Sequence, residues 1–134
     1  MDKLIPSKES LTVEFKSDKK KLSDETLIDS VVAFANTEGG DLYLGVEDNG
    51  HVSGRHESHK DFAQLSAFIA NKTIPPVSVR VEQIEEELPV IKISVPKSRS
   101  IVASSSGKIQ RRRLKMDGTP ENIPMYPYEI NTRL

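Results

Sequence analysis

A chain of 134 residues fits one domain with a real core and is too short for two. With 36% hydrophobic and 29% charged residues, no Trp and only 5% aromatics, its core must rest on Val, Ile, Leu and four Phe. A formal net charge of −1 excludes recruitment of nucleic acid by a global positive field, and the lack of cysteine excludes disulfides, thiolate zinc sites and a cysteine nucleophile.

Leu11-Thr12-Val13-Glu14-Phe15-Lys16 alternates apolar and polar residues, which predicts a half-buried strand. A charged connection, Lys16 to Lys21, leads to Ser23-Asp24-Glu25, an N-cap with an acidic first turn. Leu27, Ile28, Val31, Val32, Phe34 and Ala35 then recur at helical spacing, predicting an amphipathic helix over 24–36. Gly39-Gly40 ends it, and a second strand is expected over 41–47. Asn49-Gly50 signals a hairpin turn into His51-Val52-Ser53. A second helix near 60–72 carries Phe62, Leu65, Phe68 and Ile69 on one stripe and stops before Pro75-Pro76. Strands are predicted over 77–84 and 90–95, joined by Glu85-Glu86-Glu87, with a further hairpin pairing 101–103 and 108–114 around Ser104-Ser105-Ser106-Gly107. Pro127-Tyr128-Glu129-Ile130 opens a helix that the chain barely begins, which fits a domain of a longer protein and equally a short frayed tail. There is no internal repeat. The predicted fold is α+β: a mostly antiparallel sheet of about five or six strands with two main helices packed on it.

Polar residues are unusually dense between Ala33 and Gly50, at both breaks of the helix-turn-strand-turn unit. A turn needs only one or two such residues, so a further task on nucleic acid is expected there. Gly39-Gly40 could admit a phosphate backbone or simply cap the helix with positive φ. The absence of a signal core or a run of roughly 20 apolar residues makes a cytoplasmic location the default and gives no reason to expect a membrane partner.

Three blocks resemble one family. Glu9-Ser10-Leu11-Thr12-Val13-Glu14-Phe15-Lys16 is similar to the opening E-S-x-x-x-E-F-K of the Schlafen/Alba-type DNA-binding domain, and Ala33 to Gly50, continued by Val52-Ser53-Gly54, is similar to its central signature. Gly107-Lys108-Ile109 with Arg112, then Pro124-Met125-Tyr126-Pro127-Tyr128-Glu129-Ile130, resembles its C-terminal pattern. The matches cover nearly the whole chain. The resemblance implies an α+β fold and nucleic acid as partner, with DNA favoured over RNA. It implies the N-terminal domain of a bacterial transcriptional regulator or, as in two-lobed animal relatives, a metal-dependent endoribonuclease.

For the nuclease alternative, the resemblance places Glu9, Glu14 and Asp48 as both the catalytic and the metal-holding residues, since hard cations such as Mg²⁺ or Mn²⁺ take carboxylate oxygens. A single domain acting so would have to form a homodimer. In a straight strand, however, Glu9 and Glu14 lie on opposite faces, roughly 16 Å apart, so such a site requires a bend between Glu9 and Leu11. The competing reading makes Glu9 a turn cap, Glu14 a solvent-facing strand residue and Asp48 the start of an Asx turn. The binding reading needs no cofactor.

Two basic clusters are candidate phosphate contacts: Lys16, Lys19, Lys20 and Lys21, and Lys108, Arg111, Arg112, Arg113 and Lys115. On a strand, Lys108 and Arg112 share one face while Arg111 and Arg113 share the other, so at least one face should present a usable patch. An edge strand guarded against aggregation would look the same. Gln110 stands where the bacterial pattern carries an aromatic, which favours phosphate contact over base stacking. His51, His56 and His59 are the only histidines. Their spacing fits no zinc signature, so a solvated loop is expected.

Overall fold

The computed structural model describes residues 4–133. Among these it has eight strands and three α-helices, an α+β arrangement. In chain order they are β1 (Val13–Lys16), α1 (Asp24–Ala35), β2 (Gly40–Leu44), α2 (Phe62–Asn71), β3 (Thr73–Ile74), β4 (Arg80–Glu85), β5 (Pro89–Val95), β6 (Ala103–Ser104), β7 (Gln110–Leu114), β8 (Pro120–Pro124) and α3 (Pro127–Arg133). No helix is long and apolar enough to cross a membrane.

The sheet is mixed, and it is split. β1, β2, β5 and β4 form a four-stranded sheet in that order, while β3–β6 and β7–β8 are separate two-stranded ribbons. Within the larger sheet β1 runs parallel to β2, and the other pairs are antiparallel. The parallel pair follows from its connection: between Lys16 and Gly40 the chain crosses over through α1, the length of link a parallel neighbour needs.

α1 covers one face of this sheet. Ser23 caps it, its Oγ accepting the Thr26 N–H at 3.2 Å, and Leu27, Val31, Phe34 and Ala35 meet Leu42 and Leu44 of β2, Ile91 and Ile93 of β5, and Leu65 and Ile69 of α2. The opposite face holds a smaller cluster: Ile5, Phe15, Tyr43, Val46, Ile84 and Val90. The period of two along β2 sends Leu42 and Leu44 to the helix and Tyr43 to the other side. Eight of the 12 residues of α1 are buried because a second element, β7, lies along its other side.

The hairpin expected between 101–103 and 108–114 is not formed. Its turn exists, closed by the Gly107 N–H on Ser104 O and the Ser104 N–H on Lys108 O. The strands then part: β6 pairs with β3, and β7 pairs with β8. The β7–β8 turn is made by Asp117-Gly118, a strong turn dipeptide, with Asp117 Oδ1 accepting from Thr119 N–H and Oγ1 and Gly118 at φ +86. The 41–47 strand is cut short at Gly45, whose φ is +104 and where a Cβ would stand 2.5 Å from the Gly54 carbonyl carbon. Past it, the expected Asn49-Gly50 turn carries a single bridge, Val46 to Val52.

Candidate nucleic-acid interface and the arginine clamp

Between Glu9 and Val13 the chain turns back on itself. Ser10 and Val13 exchange backbone hydrogen bonds of 3.0 and 3.3 Å, so Leu11-Thr12 form a tight turn and β1 starts only at Val13. The bend that a joint role for Glu9 and Glu14 demands is therefore present, and it brings Glu9 Oε1 to the Phe15 N–H at 2.9 Å. Burial pushes the Glu9 carboxyl above its ordinary range; the Phe15 N–H partly offsets this, and the charges of Asp48 and Glu14 add to the rise.

Glu14 does not face solvent. It pairs in register with Leu42, on the side covered by α1, and is 8% exposed. Its counter-charge is Arg112, whose Nη1 donates to Glu14 Oε1 at 3.1 Å. Arg112 is 2% exposed, and its remaining N–H groups are also engaged. Nε donates to Leu11 O at 2.7 Å, Nη1 also to Asn122 Oδ1 at 3.1 Å, and Nη2 to Ser10 O and Val13 O at 2.7 and 3.2 Å. All five donors of the guanidinium are thus spent on the 10–14 turn, Glu14 and β8, and the group lies 4.4 Å from the centre of the Phe34 ring. Arg112 is a clamp on the turn and is withdrawn from the phosphate-contact set.

The metal centre that the nuclease alternative requires is a poor fit to these side chains. Glu14 Oε1 is taken by Arg112, while Oε2 is enclosed without a donor. Glu9 is held by a backbone N–H, and Asp48 is exposed. Among the described residues no three His, Asp or Glu side chains are grouped as a metal ion requires. The three carboxylates share a neighbourhood but do not converge. Because ionised Glu9 is disfavoured in the fold, its pKa is raised over the unfolded value, and stability falls as pH rises through the folded pKa. Glu9→Gln keeps an acceptor for the Phe15 N–H and is expected to leave the thermal midpoint at pH 7 unchanged or slightly higher. A clear drop in that midpoint would show that the charge is needed.

Asn36 and Thr37 of the central block are spent internally as well. Asn36, 4% exposed, accepts the Val102 N–H on Oδ1 and donates through Nδ2 to Val102 O and Gln110 O, at 2.8 to 2.9 Å. Thr37 Oγ1 donates to Ala33 O and accepts the Arg112 N–H, both at 2.8 Å. Gly39, at φ +72, returns its N–H to Phe34 O and packs so closely on β5 that a Cβ would lie 2.6 Å from Val95 O. These bonds tie the end of α1 to Val102 and β7, while Glu38, Asp48 and Asn49 of the same block stay exposed.

The late basic cluster divides by face. Lys108 reaches across the surface to Glu25 and Asp29 of α1, at 2.5 and 3.1 Å, and those carboxylates raise its ammonium above the ordinary lysine range. Arg111 points outward but is bound by Glu129 of α3. Arg113 is half-exposed, with a surface partner in Glu121 at 2.8 Å, and Lys115 is exposed with no ion pair among the described residues. In the early cluster Lys16 lies 3.9 Å from Glu14 and Lys21 lies 3.5 Å from Asp24, while Lys19 and Lys20 are exposed and unpaired among the described residues. The two clusters meet at Glu14, whose Oε1 lies 3.9 Å from Lys16 Nζ and 3.1 Å from the buried Arg112 Nη1. Lys108 sits beside the first turns of α1 and Arg112 beside its end, so the β7–β8 tip extends past the C-terminal end of a helix about 18 Å long. Lys16 to Lys21 lead into the other end.

One buried polar site was invisible in sequence. Asp18, fully buried, accepts from Leu22 N–H at 2.8 Å and from His56 N–H and His59 Nδ1 at 2.7 Å each. His59 is 4% exposed, so the solvated-loop expectation fails for it; His56 is half-buried and His51 exposed. Only the spacing of an Asp ahead of a helix start hinted at this, and nothing in the sequence linked it to His59 across 41 residues.

Residues 9–119 match the family described as Schlafen, AlbA_2. The chain belongs to this family. Two solved structures share the fold of this Schlafen AlbA_2 domain. The DIP2311 protein of Corynebacterium diphtheriae superposes with a TM-score of 0.69 at 22% identity, over 86% of this chain and 25% of its own. The N-terminal domain of a Nitrosomonas europaea protein, named for an ATP-dependent DNA helicase related to RecG, gives 0.52 at 23% identity, over 66% of this chain and 65% of its own. The Schlafen AlbA_2 chain thus spans a quarter of the first protein and just under two thirds of the second.

Proposed function

We propose that this Schlafen AlbA_2 domain is a DNA-binding module of a cytoplasmic bacterial transcriptional regulator, and that DNA meets it on the outer face of the β7–β8 ribbon. The carrying observation is the ribbon itself, a two-stranded arm whose outer face presents Arg113 and Lys115 to solvent beyond the end of α1. A two-stranded ribbon has the width to enter a major groove, and cations on it can neutralise phosphates. The family and the helicase-related neighbour's name lend further support.

Arg112 is buried, and Lys108, Arg111 and the more exposed Arg113 each hold a carboxylate, so few phosphates are neutralised. For duplex DNA held by Arg113 and Lys115 alone, the log–log dependence of the association constant on salt should have a slope near −1.8. A slope near −3.6 would mean that Lys19 and Lys20 engage the same molecule. Flat binding across salt, or none, would remove the proposal. Cleavage of a structured RNA in Mn²⁺ that disappears in the exposed-site variant Asp48→Asn would instead establish the nuclease reading.

A further inference from the structure

We propose that Tyr126 and Tyr128 form a stacking platform for an unpaired base, so that the DNA bound at the ribbon includes a single-stranded segment. The inference rests on the DNA-binding reading and narrows its ligand. Seven aromatic residues are present in the chain. Phe15, Phe34 and Tyr43 are buried, and Phe62 and Phe68 pack on the core. The two that remain, Tyr126 and Tyr128, are 48% and 69% exposed, with ring planes within 10° of parallel and centroids 6.2 Å apart. Exposing the only two spare aromatics side by side has no use for the core.

Their setting is fixed, and cations line the neighbouring strand. Pro127 separates them at the first position of α3, locking one backbone angle and restricting Tyr126 before it. Such rigidity lowers the entropy lost when a base stacks. Glu129 anchors the pair, accepting the Tyr126 N–H at 2.9 Å on one oxygen and Arg111 on the other. Beyond Arg111 the outer face of β7 continues to Arg113 and Lys115. Met125 extends the ladder opposite Ile109, so the rings lie near the start of β7 and Arg113 roughly 13 Å along it, about four nucleotides of stacked strand. Stacked aromatics beside a track of cations are the arrangement that holds single strands with little sequence preference.

The domain without Trp makes the test direct, since tyrosine emission is not masked. A thymidylate single strand is titrated in, and affinity is read separately by anisotropy of labelled single-stranded and duplex DNA of equal length. Tyrosine emission should be quenched by the single strand. Tyr128→Ala should weaken single-strand binding about 5- to 150-fold, Tyr128→Phe should restore it, and duplex affinity should be unaltered by either. Because the side chain is solvent-exposed, both variants should fold as wild type. Single-strand affinity unaltered by Tyr126→Ala and Tyr128→Ala, with duplex binding intact, would overturn the platform and leave the DNA-binding reading standing. Failure of both DNAs to bind wild type would remove that reading and the platform together.

Discussion

Arg112→Met is expected to destabilise the domain by about 3–5 kcal/mol, the cost of removing one partner of a buried ion pair. For a domain of this size that is a fall of roughly 10–20 °C in thermal midpoint. The loss has two sources. Glu14 would remain enclosed with Oε2 already unpartnered and Oε1 newly so, and the carbonyls of Ser10, Leu11 and Val13 would lose their donors together. Arg112→Lys should rescue little, since three donors on one nitrogen cannot reproduce the planar five-donor fork or its stacking on Phe34. Arg113→Met, on the same strand but half-exposed, should change stability by no more than about 0.5 kcal/mol. Equal midpoints for the two methionine variants would show that the clamp does not hold the turn.

The second large effect is expected at Asp18. Asp18→Ala strips acceptors from the Leu22 and His56 N–H groups and from His59 Nδ1 in a fully buried site, which should cost on the order of 3–5 kcal/mol. His59→Leu removes one of these bonds and should cost less. The pH dependence has a definite sign. Burial alone would push the Asp18 carboxyl up, but the hydrogen bonds from His59, Leu22 and His56 outweigh it, and the folded pKa lies below the ordinary value. The stabilisation from ionised Asp18 is therefore fully present above the unfolded pKa of about 3.9 and is lost as pH falls through the folded one. The gap in thermal midpoint between wild type and Asp18→Ala should hold at pH 7 and begin to shrink only below about pH 4. A gap that is already gone at pH 5 would mean that the carboxylate is not the stabilising form.

Much of the scaffold was legible in local patterns. Ser23 as N-cap, the 3.6 period of Leu27, Val31 and Phe34, the Gly39 stop and the Asn49-Gly50 turn all act within a few residues, and each appears where the sequence puts it. Strand partners were harder, because pairing is decided by tertiary packing. Lys108 to Leu114 holds four consecutive polar residues, a pattern that selects no partner strand, and the Asp117-Gly118 turn gives it to β8. Side-chain roles were least legible. In a run of three arginines, only the middle one faces inward, and nothing local marks it as a core residue. Glu14 likewise reads as a solvent-side residue until β1 is placed beside β2 beneath α1. Asn36 and Thr37 suggested a ligand site because their partners, Val102, Gln110 and Arg112, stand 66 to 75 residues away. Tyr126 and Tyr128 drew notice only as part of a family pattern; their exposure and near-parallel rings depend on α3 being docked by Arg111 and Glu129.

The ribbon is tested most directly by charge reversal. Anisotropy of labelled DNA, single-stranded and duplex, would be measured against wild type, Arg113→Glu/Lys115→Glu and, as a matched control, Lys19→Glu/Lys20→Glu, with thermal midpoints confirming that all three are folded. DNA binding on the outer face of β7–β8 predicts that the ribbon variant loses affinity at least tenfold for both DNAs and loses most of its salt dependence, while the control changes far less. Full affinity in the ribbon variant, or a larger loss in the control, would contradict it and move the interface to the loop before α1.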